Sequence, residues 1–378
     1  MKRLLLCSAA IGAIAVSAPA YAQIDVTVGG HTKNYVGWLD QDTSVAGADE
    51  RSFDMLRESE LHVNAEGVAD NGLVYGFHAE MEVDGGDSGT TLEESYLYLS
   101  GDWGRVNLGS ENGAAYLLQV AAPSADSNID GIRQYVQPVN TSAVVLAGNT
   151  LETYLLGIAT ANGDGFDYDN DVSAFSEKLT YLSPIWNGFQ FGVSYTPDIA
   201  DVGSADSLVG FGADDVAGAF GSVYEGSARY EGEFNNVGFA VGGGYTHNEL
   251  ESALAGVDDL EEWNIGLDLD MGPFGVGVIW TENNNGTTAG DEDQTLVLGV
   301  DYTTGPFKLG ASYYTREDEA GLAAGEHETD RFTGGVVYTA APGLSFRGSL
   351  SHIEHESAVA GESDVEATSL LGGIQMNF

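Results

Sequence analysis

The sequence predicts an all-β protein: a transmembrane antiparallel β-barrel of 16 strands with a long third loop folded inward. Three observations predict it. Segments of alternating apolar and polar side chains, with the period of two that marks half-buried strands, recur along almost the whole chain. Between them, short turns and long acidic loops strictly alternate. One stretch, residues 110–176, is too long for an ordinary connection in a compact domain, and makes sense if it folds into something hollow.

The chain opens on an expected targeting segment. Lys2 and Arg3 form a positive start, Leu4 to Val16 an apolar core, and Ala20-Tyr21-Ala22 a small-x-small cleavage site. Residues 1–22 are therefore expected to be a signal peptide cleaved after Ala22, and residues 23–378 the barrel. The apolar core is too short to span a bilayer as a helix. The one cysteine, Cys7, lies inside it. The exported chain would thus have no disulfide and no thiol nucleophile, which fits an oxidising compartment.

Charge sets the partners. The chain carries 58 Asp+Glu against 13 Lys+Arg, a net charge of −45. Such a surface repels nucleic acid. Disorder is argued against by 43% hydrophobic and 10% aromatic residues. Two readings of the acidity stand side by side: solubility in a saline habitat, where counterions screen self-repulsion, or an electrostatic funnel for cations. No apolar stretch beyond the first residues approaches a membrane-spanning helix, and no Pro-rich or charged linker divides the chain.

The elements follow in order. Strands are expected at about 24–39, 53–68, 73–84, 91–99, 104–109, 177–183, 189–197 and 221–234. The second half adds 237–248, 261–271, 274–282, 294–303, 307–316, 330–339, 344–355 and 367–378. In the third, Leu73, Tyr75, Phe77, Ala79, Met81 and Val83 share one face, while Gly76, His78, Glu80, Glu82 and Asp84 share the other. The stretches beginning at Glu262 and Phe307 repeat the scheme. Residues 143–160 are apolar enough to supply one more hairpin and raise the count to eighteen. Tight turns fall at 70–72, 101–104, 235–236, 272–273, 305–306 and 341–343, with Gly, Asn and Pro in them. Long acidic loops fall at about 40–52, 85–90, 197–220, 249–260, 283–293, 317–329 and 356–366. A soluble sandwich has no need of that alternation, whereas a barrel with short periplasmic turns and long outer loops does. A barrel of this size encloses an aqueous channel.

Aromatic residues near strand ends read as an interfacial girdle: Trp38, Phe189, Tyr195, Phe234, Tyr245, Trp263, Phe274, Trp280, Tyr302, Phe332 and Tyr338. The last strand, "ATSLLGGIQMNF", places Thr368, Leu370, Gly372, Ile374, Met376 and Phe378 on one face. With that strand, the segments "QIDVTVGGHTKNYVGW", "LHVNAEGVADNGLVYGFHAEME", "ESYLYLSGDWGRVNLG" and "EKLTYLSPIWNGFQFGVSYTP", and the long third loop between the last two, resemble Gram-negative porins. The likeness runs from Gln23 to Phe378 and is nearest the alphaproteobacterial trimeric branch. It implies an outer-membrane location in contact with lipid, a homotrimer, and recognition of Phe378 by the outer-membrane assembly machinery. It also implies a water-filled channel for passive diffusion of small hydrophilic solutes and ions, with no enzymatic activity and no required cofactor.

In that family the third loop narrows the pore, and its acids face a row of bases on the opposite wall. Carried onto this chain, the constriction residues would be Glu111, Asp126, Asp130 and Arg133 from the loop. Alternation adds Arg105, Arg229, Lys308, Arg316, Arg331 and Arg347 as lumen-facing bases, and Glu80, Glu82, Glu94, Glu225, Glu231, Asp268 and Asp270 as lumen-facing acids. Charged walls help an ion that sheds part of its hydration shell at a narrow point. For any one arginine, a salt bridge between strands is an equal reading. The thin basic side departs from the family and leads to an expectation of cation preference. Asp167, Asp169 and Asp171 have the spacing that opens an EF-hand, but Val172 stands at the turn glycine and Lys178 at the bidentate acid. A loose calcium-attracting carboxylate cluster is the reading left for them.

Other motifs give little. His352 and His355 lie an odd number of positions apart, so a regular strand puts them on opposite faces. "GGG" at 242–244 is no phosphate loop, since no helix follows it. No Ser/His/Asp set can be assembled. The alternative to a channel is the same barrel plugged by its loop, with a structural, calcium-binding or partner-binding role.

Overall fold

The computed structural model describes residues 24–43, 51–83, 91–140, 166–199, 216–288, 292–319, 325–358 and 364–378. These form a closed barrel of sixteen antiparallel strands in which every strand pairs with its sequence neighbours and β1 with β16. The first eight are β1 (Asp25–Thr43), β2 (Phe53–Val68), β3 (Val74–Glu82), β4 (Thr91–Gly101), β5 (Gly104–Ser110), β6 (Glu177–Leu182), β7 (Phe189–Thr196) and β8 (Phe220–Phe234). The rest are β9 (Val237–Leu250), β10 (Leu260–Met271), β11 (Phe274–Asn283), β12 (Asp293–Thr304), β13 (Phe307–Glu319), β14 (Glu326–Ala341), β15 (Leu344–Ser357) and β16 (Val365–Asn377). The apolar stretch 143–160 and the expected signal peptide lie outside the described residues.

Closure removes the sheet edges that would otherwise leave backbone groups unpaired in lipid. At the seam, Phe378 N–H donates to the carbonyl of Gly30 at 3.0 Å, and Gly30 N–H to the carbonyl of Phe378 at 2.9 Å. The terminal aromatic thus completes the ladder.

The outward face is apolar. Leu108 is 60% and Ile265 54% exposed to the surroundings, with Val36, Phe77, Leu370 and Ile374 on the same surface. On a soluble protein such a band would drive aggregation; around a closed barrel it is the lipid-facing belt. Cross-strand aromatic pairs decorate it, Phe274 against Tyr302 at 4.8 Å and Phe307 against Tyr338 at 4.9 Å.

Several strands run past their expected limits, β1 to Thr43 and β13 to Glu319, with β14 beginning at Glu326. Beyond the bilayer both faces meet water, so the apolar alternation fades while the hydrogen-bonded ladder continues. Pattern alone reports the lipid-facing part of a strand and not its full length.

Candidate functional site in the barrel lumen

The first described part of the third loop, residues 111–140, runs along the inner wall. It holds two short helices, α1 (Ala114–Leu117) and α2 (Ser127–Asp130). Ala114 N–H donates to Ser194 Oγ at 2.6 Å, and Ser227 Oγ donates to the Ala114 carbonyl at 2.5 Å, which ties α1 to β7 and β8. Farther on, Asn128 Nδ2 donates to Gln375 Oε1 at 3.0 Å on β16, and Gln41 on β1 donates to the Asn140 carbonyl at 3.2 Å. The loop therefore meets the wall from β6 round to β1.

Inward-facing glycines make this close approach possible. A Cβ on Gly242 would lie 3.0 Å from Val120, on Gly277 2.6 Å from Pro123, and on Gly310 2.6 Å from the Ala125 nitrogen. On Gly266 and Gly299 it would run into the carbonyl oxygens of Val120 and Pro123. A side chain at these positions would lift the loop off the wall. The "GGG" segment belongs to this track: Gly244 abuts Ala115. A buried apolar cluster completes the docking, with Ala122, Val139, Phe166 and Tyr168 of the loop packed on Ile279, Val297, Tyr314 and Ile353 of the wall.

The charges expected at the constriction turn out to be anchors. Asp126 is 1% exposed; its carboxylate accepts from Arg347 Nη1 at 2.5 Å, from Tyr35 Oη–H at 2.8 Å and from Asn128 N–H at 3.2 Å. Asp130, buried, accepts from Ser312 Oγ at 2.9 Å. Burial raises its pKa, with Arg331 opposing. Glu111 is 2% exposed and accepts from Asn107 Nδ2 at 2.7 Å. Burial raises its pKa also, against the Asn107 hydrogen bond and Lys178. Lys178 closes the loop's far end, its Nζ donating to the carbonyls of Glu111, Ala174 and Ser176. Glu111, Asp126 and Asp130, expected at the constriction, are thus buried and hydrogen-bonded along the loop, because fixing a polar loop to a wall takes buried, paired carboxylates.

The wall bases face inward, each toward a partner. Arg347 holds Asp126. Arg331, fully buried, donates to the Ile129 carbonyl at 3.3 Å between the rings of Phe166 and Tyr314. Arg229 donates to the Gln119 carbonyl at 3.1 Å and pairs with Glu231 at 2.8 Å. Arg316 pairs with Asp293 at 3.0 Å and with Asp318, and Lys308 with Asp301 at 3.0 Å. Arg105 donates to Asn107 Oδ1 at 2.6 Å and lies 4.0 Å from the centre of the Tyr98 ring. Each of these bases is thus engaged by an anchoring contact, a salt bridge or an aromatic ring.

Asp167, Asp169 and Asp171 do come close together, around an arginine. Arg133 Nε pairs with Asp169 at 3.3 Å and its Nη2 with Asp171, while Asp167 accepts from Gln134 N–H at 2.5 Å. Burial raises the Asp169 pKa to about 7 against the pull of Arg133, and burial raises Asp167 and Asp171 as well. Burial alone would lower Arg133, but Asp171 and Asp169 carry it well above the usual guanidinium range. The seat expected for calcium is filled by this guanidinium, whose own positive charge balances the carboxylates.

What remains open lies on the other side. A cavity of about 350 Å³ is walled by Glu58 and Glu60 of β2, Glu80 and Glu82 of β3, and Glu93 and Glu94 of β4. Opposite them the loop presents Asn112, Tyr116, Arg133, Gln134 and Tyr135. Around this cavity, the acids stand on the wall and the base on the loop. Beside this wall stand His31, His62 and His78, with ring centroids 5.7 and 6.0 Å apart along the row. Lys33, missed in the sequence, pairs with Glu58 at 2.5 Å. The signal for Glu58, Glu60 and His62 was present: they share one parity in "RESELHV", as His78, Glu80 and Glu82 do in "FHAEME". A second acidic hollow of about 610 Å³ gathers Glu292, Glu317, Glu319, Glu326, Glu328 and Glu356, whose parity, opposite to that of the inward Arg316, Asp318 and His327, puts it on the outward side of the strands.

A family profile described as Gram-negative porin matches residues 8–358. The chain belongs to that family. Porins are outer-membrane channels and not enzymes. Among curated relatives, an uncharacterised protein of Rickettsia conorii is 27% identical over 118 residues, 30% of this chain and 26% of that protein. Another from Rickettsia bellii is 21% identical over 315 residues, 70% of each. The porin matches the first of these over only about a quarter of its length. Among solved structures, the anion-selective porin from Comamonas acidovorans superposes with a TM-score of 0.65 at 17% identity, covering 94% of this chain and all of that one. In vitro folded OmpT of Vibrio cholerae, in its trimer form, gives 0.57 at 12% identity, covering 94% and 99%. At these identities the likeness is one of fold.

Proposed function

We propose that this porin passes small hydrophilic solutes and ions by passive diffusion, prefers cations, and is narrowed by its third loop at the cavity between β2–β4 and Arg133. The carrying observation is the glutamate wall, Glu58, Glu60, Glu80, Glu82, Glu93 and Glu94, facing a loop arginine already paired with Asp169 and Asp171. Carboxylate walls compensate a partly dehydrated cation and repel an anion. The anion selectivity of the Comamonas porin does not carry over, because selectivity resides in side chains that 17% identity does not preserve.

The reading includes a homotrimer in the outer membrane, reached after cleavage behind Ala22, with Phe378 as the handle for assembly. It needs no cofactor. The test is the reversal potential of single channels across a salt gradient. A cation-selective potential is expected, and Glu60→Gln with Glu80→Gln and Glu94→Gln should move it toward zero. An anion-selective wild type would refute the cation preference. The apolar packing of Phe166 and Tyr168 in the lumen favours a second reading, a plugged barrel, which predicts a folded protein without conductance.

A further inference from the structure

We propose that the inner wall at β2–β3 binds one divalent transition-metal ion of the zinc class, through His62 Nδ1, His78 Nε2 and Glu80 Oε1. Strand register brings the three together: His62 pairs with Glu80, and Asn64 with His78, all on the inward face. Glu80 Oε1 lies 3.1 Å from His62 Nδ1 and 2.7 Å from His78 Nε2, and the three ligand atoms fall within 4.8 Å of one another. Donors on a tetrahedral ion with bonds of about 2.0–2.1 Å sit roughly 3.3 Å apart, so the two contacts to Glu80 need only a small outward adjustment.

The surroundings fit a metal as well as the ligands do. A ligating imidazole is usually held through its other nitrogen by an acceptor, which fixes its tautomer and aims its lone pair. Here Glu60 Oε2 lies 2.9 Å from His62 Nε2, and Asn64 Oδ1 lies 2.6 Å from His78 Nδ1. Glu94 Oε2, 3.9 Å from His78 Nε2, stands ready as a fourth ligand. The group borders the open cavity, which gives an ion its path. Mixed imidazole and carboxylate donors select zinc, copper or nickel over calcium and magnesium, which take oxygen.

Among the described residues, His31, Glu60 and His62 form a second such group. It is the poorer seat. His31 Nε2 and Glu60 Oε2 are 3.7 Å apart, and Lys33 brings a positive charge to Glu58, which itself lies 3.0 Å from His31. Among the described residues, no lysine pairs with Glu80. A bound ion replaces the proton shared between each imidazole and Glu80, so protons compete with it. It would also cancel charge on the glutamate wall.

The test uses the folded full chain in detergent, titrated calorimetrically with Zn²⁺ in excess Ca²⁺ so that oxygen-only sites are already filled. One calcium-resistant zinc per chain is expected, lost in His62→Ala and in His78→Ala. Asn64→Ala should weaken it about ten- to hundredfold, as loss of an outer-shell partner does, and His352→Ala, on the lipid face, should leave it unchanged. No calcium-resistant zinc in the wild type, or equal binding by the double His variant, overturns the site. Should the His variants fail to fold, Co²⁺ bound to the wild type decides: intense tetrahedral visible bands support the ligand set, and weak octahedral ones exclude it.

Discussion

Removing the Asp126 carboxylate should release the third loop from the wall while leaving the barrel closed. Asp126 is buried and accepts three hydrogen bonds, one of them from Arg347 at 2.5 Å. In Asp126→Ala, Arg347 keeps its charge and loses its partner, which costs about 3–5 kcal/mol for a fully buried pair. The Arg347 side chain retains 13% exposure, which places the cost toward the low end. Asp126 also caps α2 through Asn128 N–H, worth about 1 kcal/mol. The Tyr35 hydroxyl loses its acceptor as well, though it still receives Asn128 Nδ2 at 2.8 Å. The terms are not additive, so about 4 kcal/mol is a fair total. At 1.4 kcal/mol per tenfold, the docked-to-released ratio falls by a factor on the order of a thousand.

Hydrogen exchange over residues 126–136 reads that ratio directly, because local opening governs amide protection. Single-channel current reads its consequence as larger and noisier openings. Arg347→Ala/Asp126→Ala removes the stranded charge with the pair, and should be less damaging than the two single variants added together. Wild-type protection in Asp126→Ala, together with strict additivity in the cycle, would refute the anchor.

Two further outcomes follow from the same packing. Gly299→Val places a side chain against the Pro123 carbonyl and should raise conductance by displacing the loop, whereas Gly372→Ala, with open space around it, should not; equal currents from both would remove the glycine track from the argument. Acid should tighten the loop: the Asp169 pKa is raised by burial to about 7, from an ordinary value near 3.9, so between those limits the docked loop holds a proton that the released loop gives up. Docking is therefore favoured at low pH and weakens as pH rises through about 7, and exchange at 166–171, corrected for its intrinsic rate, should be slower at pH 5 than at pH 8.

The barrel was legible in the sequence because a wall one residue thick, with lipid outside and water inside, imposes period two on every strand. His352 and His355 fall on opposite faces as parity requires, the first bonded to Thr368 on the outer surface and the second stacked on His327 within. The loop's path was not legible in the same way. It depends on a fit between two distant stretches, inward glycines on β9–β14 and residues 115–125, and neither carries a local signal of the other. The parity of Gly242, Gly244, Gly266, Gly277, Gly299 and Gly310 was nevertheless visible, and glycine on the water-facing side of successive strands is a cue that another backbone approaches. The glutamate wall proposed as the narrow point was obscured by the resemblance, which puts acids on the loop and bases on the wall.

The glutamate wall has a physical source in the scarcity of bases. With 13 Lys+Arg in the chain, a loop that docks through carboxylates needs much of the inward positive charge as its counterpart. Arg347 is committed to Asp126, Arg331 and Arg229 to loop carbonyls, and Arg133 to Asp169 and Asp171. The wall bases that hold the loop, Arg229, Arg331, Arg347 and Lys178, therefore lie where it touches the wall, on β8, β14, β15 and β6. The arc that the loop leaves open, β2–β4, bears glutamates, histidines and a lysine on neighbouring β1 already paired with Glu58. The cation preference proposed for this porin would then be a consequence of how its loop is fastened. Adding bases to the outer loops would change the surface charge and leave the passage acidic, whereas freeing Arg347 from Asp126 would alter the field inside.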